Sequence, residues 1–170
     1  PTLMQTVERT PVLVHAGPFA NIAQGTNTII ATKMGLSLSD FVVTEAGFAS
    51  ELGAEKFFNI KSQSHGLKPN AVVIVATIRA LKYHGGAKLA ELKDENLEAL
   101  EKGIENLDAH IDNMANFGLK PIIGINKFSS DTAAEVDMIQ KHCAARGVTF
   151  ALNESWEFGG DGAIELPKKV

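Results

Sequence analysis

Short apolar runs alternate with longer amphipathic stretches along the whole chain. Val12–Ala16 (VLVHA), Phe41–Glu45 (FVVTE), Ala71–Thr77 (AVVIVAT), Pro121–Asn126 (PIIGIN) and Val148–Leu152 (VTFAL) read as strands. Several are apolar nearly throughout, which suits parallel strands covered on both faces better than strands with one wet side. Between them the pattern predicts helices over Phe19–Met34, Gly53–Ser64, Asp94–Phe117 and Asp131–Arg146, with a shorter one near Gly162–Lys169. The clearest is Asp94–Phe117, where Leu97, Leu100, Ile104, Leu107, Ile111 and Met114 recur at spacings of three and four and make one stripe to bury. Gly118 is placed to cap its end in a left-handed conformation. Asp131-Thr132 can start the next helix and Arg146-Gly147 can end it. Pro1–Thr10 shows no pattern of its own.

Strand–helix repetition implies an α/β fold, a mostly parallel sheet with helices on both faces, in a three-layer arrangement of the Rossmann or P-loop NTPase kind. The chain reads as one α/β segment over 1–170, with no internal repeat or linker. With 170 residues, 45% of them hydrophobic and 21% charged, it has material for an ordinary core. A net charge of -4 gives no basic surface for nucleic acid or an anionic membrane. One cysteine, Cys143, rules out an internal disulfide and suits a reducing compartment. No signal peptide or bilayer-length apolar run is read, so a cytoplasmic protein is expected.

In an open parallel sheet, ligands bind beyond the carboxyl ends of the strands. After the first strand, Gly17, Pro18, Phe19 and Asn21 form a sharp turn into a helix, either an anion site or a simple reversal. After the second, Glu45 ends an apolar run, where a carboxylate is costly unless paired; it could hold Mg²⁺ or a polar substrate, or pair with Lys56. After the third come Arg79 and Lys82, suited to phosphate or carboxylate, or else to ion pairs with the acidic helix that follows. After the fourth, Asn126-Lys127 resembles the base-recognition motif of GTP-binding proteins, but Ser129 stands where that motif requires aspartate. Phe128 is then either core or a stacking platform. After the fifth, the one tryptophan, Trp156, lies in a polar, glycine-rich loop, either to stack on a planar heterocycle or as a half-buried loop residue. The five histidines show no zinc spacing, no metal site is read, and no G-x-S-x-G elbow occurs. Cys143 has only His142 beside it, which points elsewhere on a helix. Nowhere in the 170 residues is there a G-x-x-x-x-G-K-[ST] phosphate loop.

These segments together carry a resemblance. VATIRALKYHGG (Val75–Gly86), HAGPFANIAQG (His15–Gly25), VTEAGFASELGAEKFF (Val43–Phe58), INKFSSDT and the NESWEFGGDG loop resemble the motifs of formate–tetrahydrofolate ligases, from Pro1 to Val170. The resemblance implies an ATP- and Mg²⁺-dependent enzyme that joins formate to tetrahydrofolate through formyl phosphate, giving 10-formyltetrahydrofolate. It implies that Phe128 and Trp156 clamp the pterin and that Gly17, Pro18, Phe19 and Asn21 face the nucleotide phosphates. Arg79, Lys82 and Glu45 remain catalytic candidates without an assigned step. Residues 1–120 resemble part of the nucleotide-domain sheet, and 121–170 resemble the folate-binding region. A homotetramer is implied by the family alone.

The family is longer, and its lysine-bearing phosphate loop lies upstream of the motifs quoted. The expectation is therefore the central segment of a larger enzyme, carrying half an active site. A non-catalytic module that binds folate or another planar ligand is the alternative, and a distinct small NTP-dependent enzyme with a non-standard phosphate site fits less well.

Overall fold

In the computed structural model, which describes residues 1–14 and 23–170, the chain forms two units, Pro1–Pro69 and Asn70–Val170. In the first unit, β1 (Thr2–Gln5) pairs antiparallel with β2 (Pro11–Val14), with Thr2 opposite Val14 and Gln5 opposite Pro11. The N-terminal strand was not visible as a pattern because every residue of β1 is exposed. Its ladder with β2, closed by Thr6 N–H donating to the Thr10 carbonyl at 2.9 Å, holds it in place of burial.

The expected start of the first helix lies outside the described residues. The helix that follows, α1 (Ile29–Leu38), begins where the Thr28 hydroxyl caps it by accepting from Ala31 N–H at 3.2 Å. Phe41–Glu45 was expected as a strand but joins no sheet among the described residues. Phe41 is 87% and Val43 95% exposed, and only Val42 between them is half-buried, its side chain lying beside Gly35 of α1. The expected helix over Gly53–Ser64 is helical but wide-wound, with π turns at Ser50–Ala54 and Phe57–Ser62 before an α turn at Gln63–His65. It packs very closely on Gly25, where a Cβ would meet the Gly53 carbonyl oxygen at 2.2 Å. Lys61 is buried in this unit, donating to the Thr26 hydroxyl and the Asn27 carbonyl. Loss of solvation lowers its pKa.

The second unit contains the parallel sheet. Strands β3 (Val73–Ala76), β4 (Ile122–Asn126) and β5 (Thr149–Asn153) lie in the order β3-β4-β5, Val73 beside Ile122 and Ile122 beside Thr149. The helices are α2 (Ile78–His84), α3 (Leu97–Asn116), α4 (Ala133–Ala145) and the single turn α5 (Ser155–Phe158). The α/β class with a parallel sheet flanked by helices is as expected. Helix α2 was missed, since seven residues carry too little periodicity to register. The last predicted helix, Gly162–Lys169, is instead two 3₁₀ turns, Gly159–Ala163 and Pro167–Lys169. Three glycines between 159 and 162 and then Pro167 explain why no longer helix forms there.

The predicted stripe of α3 is the core. Leu100, Ile104, Leu107, Ile111 and Met114 are buried, while Leu97 at the first turn is exposed. They meet Ile78 and Leu81 of α2, Ile123 and Ile125 of β4, and Ile139 and Cys143 of α4. Burial, with the nearby Asp108 charge, raises the Cys143 thiol to about 11. His142 turns away from it and pairs with Asp108 at 2.8 Å. The expected left-handed cap forms at Gly118 (φ 77°), and Gly147, expected to end α4, is left-handed too (φ 68°). On the opposite side of the sheet, Leu166 lies against Gly124, within 3.5 Å of where a Cβ would stand. Among the described residues, no helix is long and apolar enough to cross a membrane.

Helices α2 and α3 touch backbone to backbone. A Cβ on Gly103 would stand 1.8 Å from the Leu81 carbonyl oxygen, and one on Gly85 would stand 1.7 Å from that of Ala99. By helix propensity alone, Gly103→Ala would stabilise α3 by about 1 kcal/mol. The contact reverses that sign because backbone cannot move aside. Gly103→Ala is expected to lose about 2–3 kcal/mol in urea denaturation, and a stabilised variant would show that the helices do not approach this closely.

Candidate functional site

The three parallel strands end side by side, and the residues that follow them assemble one site. Asn126 and Asn153 close β4 and β5 in register, the Asn153 amide donating to the Asn126 side-chain oxygen at 2.7 Å. Lys127 N–H then donates to the Asn153 carbonyl at 2.9 Å, extending the ladder by one step. The Lys127 ammonium pairs with Glu154 at 2.7 Å across the two strand ends, both side chains being partly exposed. Such a pair contributes little stability, but it ties the two strand ends together.

The next segment turns sharply. Phe128 N–H donates to Asp131 Oδ2 at 2.8 Å, and Asp131 N–H returns to the Phe128 carbonyl at 2.9 Å. The side chain and the main chain of Asp131 thus hold Phe128 from both ends. Thr132 caps α4 in a reciprocal box, its hydroxyl accepting from Glu135 N–H while Glu135 accepts from Thr132 N–H at 3.0 Å. After β5, Glu154 N–H donates to the Gly162 carbonyl at 2.8 Å, which folds the glycine loop back on itself. A Cβ at Gly162 would stand 2.4 Å from the Glu154 carbonyl oxygen, so only glycine fits this return.

Phe128 and Trp156 line one pocket of about 260 Å³ with Asn126, Lys127, Asn153 and Ser155. Trp156 is 83% exposed, an aromatic ring offered to solvent beside a recess with amide groups in its lining. That combination suits a flat ligand with polar edges. A second, larger depression of about 640 Å³ lies under the 158–168 loop and is lined partly by Asp161, Glu165 and Lys168. Its lining includes Glu154, the partner of Lys127, but neither Phe128 nor Trp156.

The basic pair on α2 reaches the same β4–α4 connection by two routes. Arg79 lies over the Phe128 ring, 4.2 Å from its centroid, and donates to the Ser130 hydroxyl at 2.9 Å. Lys82, fully buried, pairs with the equally buried Glu135 at 2.7 Å and donates to the Asp94 carbonyl at 2.7 Å. The alternative expectation of ion pairs with the acidic helix that follows is not what forms, since the partner comes from α4. Glu135 also accepts from Asn96 N–H at 3.2 Å. Burial would raise the Glu135 pKa, but the Lys82 hydrogen bond, the Thr132 and Asn96 N–H donors and the lysine charge together hold it below the usual carboxylate range. The sequence did not single out Glu135; the capping-box spacing from Thr132 was the available signal, and it said nothing of Lys82.

Of the other candidates, Glu45 is exposed in the first unit, on the extended run that joins no sheet. Gly17, Pro18, Phe19 and Asn21 lie outside the described residues. Among the described residues no group of three or more His, Cys, Asp or Glu side chains could hold a metal ion.

Comparison with known proteins adds a family. The profile described as formate–tetrahydrofolate ligase matches residues 1–170. A relative in Petrotoga mobilis, named formate–tetrahydrofolate ligase, is 54% identical over 170 residues, covering 100% of this chain. The chain spans 31% of that relative's length.

The Glu135 carboxylate provides the pH test of this site. Its folded pKa is lowered, so its contribution is fully present above the ordinary glutamate value of about 4.3 and is lost as pH falls through the folded value. Denaturation midpoints measured across the acid range should therefore fall below about pH 4.3, and Glu135→Gln should flatten that limb. At pH 7 Lys82→Met alone should lose about 3–5 kcal/mol by orphaning the carboxylate, and adding Glu135→Leu should recover part of it. Equal stability of Lys82→Met and the parent would show that the pair is not closed.

Proposed function

We propose, from the premise that this chain belongs to the formate–tetrahydrofolate ligase family, that it supplies the folate platform of an enzyme that joins formate to tetrahydrofolate with ATP. In this reading formate takes the γ-phosphoryl group to give formyl phosphate and ADP. The tetrahydrofolate amine then attacks the formyl carbon, phosphate leaves, and 10-formyltetrahydrofolate results. Phe128 and Trp156 hold the pterin between them, and the Asn126 and Asn153 amides and the Lys127–Glu154 pair meet its polar edges. The observation that carries the reading is that both aromatic rings line one pocket at the carboxyl ends of adjacent parallel strands. This is where ligands of open α/β sheets bind.

The same reading assigns Gly17, Pro18, Phe19 and Asn21 to the nucleotide phosphates and formyl phosphate. Residues 1–120 belong with the nucleotide-domain sheet and 121–170 with the folate region. Magnesium would accompany ATP as its phosphate counter-ion. Homotetrameric assembly and a cytoplasmic setting come with the family resemblance.

In the protein that carries this chain, Trp156→Ala is expected to weaken tetrahydrofolate binding about fivefold to tenfold, the equivalent of about 1 kcal/mol of ring stacking. ATP affinity should stay the same. Isothermal titration reads both, and unchanged folate affinity in both Trp156→Ala and Phe128→Ala would remove the platform assignment.

A further inference from the structure

Phe128 has two faces, and one of them is already occupied. The Arg79 guanidinium sits 4.2 Å from the ring centroid, while the pocket is lined by Phe128 and not by Arg79. Arg79 is anchored by its bond to the Ser130 hydroxyl at 2.9 Å, two residues beyond the ring it covers. The position over the ring has a cost: Nε of Arg79 is buried and makes no hydrogen bond, and Oδ1 of Asp131, in the turn that carries Phe128, is likewise buried and unpartnered. A buried N–H without a partner is destabilising to a degree comparable with what a cation over a ring contributes.

We infer that Arg79 is a positioning residue for ligand binding, fixing the Phe128 ring from behind so that its other face is presented to the pocket. The Asp131 turn holds the Phe128 main chain, but it leaves the side chain free to rotate. The guanidinium, held at Ser130, supplies the restraint that the main chain lacks. A cation on one face also draws electron density from the ring, which favours stacking of an electron-rich heterocycle on the opposite face. A preset ring spares the ligand the entropy of ordering it, so the effect belongs in affinity and not in the chemical step.

This inference rests on the folate-platform reading, and the test separates the two. The protein that carries this chain is compared with Arg79→Met, Arg79→Lys, Phe128→Ala and the Arg79→Met/Phe128→Ala pair, measuring tetrahydrofolate affinity and steady-state KM and kcat. Thermal unfolding of each variant identifies any that fails to fold. Arg79→Met should raise the KM for tetrahydrofolate about fivefold with kcat within about twofold and the KM for ATP unchanged, the range expected from one cation–π contact. Arg79→Lys keeps the charge over the ring and should recover most of the loss, which also covers the case in which the methionine variant is unstable. In the Phe128→Ala background Arg79→Met should cost nothing further. If Phe128→Ala weakens binding while Arg79→Met and Arg79→Lys do not, the positioning role is overturned and the platform stands. If Arg79→Met costs as much without the ring as with it, the arginine acts elsewhere and the inference also fails. If Phe128→Ala has no effect, Arg79 has no ligand-binding ring to position and the inference fails; if Trp156→Ala also has none, the platform reading itself falls.

Discussion

The second unit depends on one buried ion pair. Lys82 and Glu135 are both fully shielded from solvent, 2.7 Å apart, and taking two charges out of water costs several kcal/mol for each unless their hydrogen bonds are filled. Here they are. The ammonium also donates to the Asp94 carbonyl, and the carboxylate accepts from Asn96 and Thr132 N–H. Four pieces of chain meet at that point: α2, the approach to α3, the cap of α4 and α4 itself. A hydrophobic pair of the same volume could stabilise as well. It would not fix the position of α4 with the same directionality, because apolar contacts have no preferred angle.

Consequences run from that pair to the pocket. Fixing Glu135 fixes the Thr132 cap, and the cap sets where the Phe128–Asp131 turn must end. Three residues before Lys82 on the same helix, Arg79 then falls over Phe128 and bonds Ser130. A seven-residue helix with two cations on neighbouring positions thus holds the β4–α4 connection at both ends. The close backbone contact through Gly85 and Gly103 brings α2 near enough to α3 for this to happen.

The site itself is made by the sheet. Parallel register brings Asn126 beside Asn153, so the two segments that carry Phe128 and Trp156 leave the sheet side by side. Trp156 gains little from packing, as its exposure shows; its loop is instead held by main-chain bonds and by the close return at Gly162. The result is a rigid base with one aromatic set into a locked turn and one standing in solvent. That division would suit the flat ligand proposed for the pocket, oriented by one ring and admitted past the other.

The residue pattern by itself determined the α/β class, the three parallel strands of the second unit, the stripe of α3 with its glycine cap and the capped start of α4. These follow from short-range rules: periodicity, capping chemistry and the apolar content of a covered strand. The chain also marked Phe128 and Trp156 as aromatics just beyond strand ends, and its motifs pointed to the family. Only the tertiary structure decided the rest. Phe41–Glu45 has the composition of a strand but no partner among the described residues, and β1 has a partner but no burial, because a ladder is a property of two segments and not of one. Helix α2 was too short to announce itself, and the different ends reached by Arg79 and Lys82 depend on the β4–α4 connection and on α4, about 50 residues further along the chain (Lys82 bonds Glu135 at a separation of 53). Spacing can put two cations on one side of a helix, but what each of them meets is set by long-range packing.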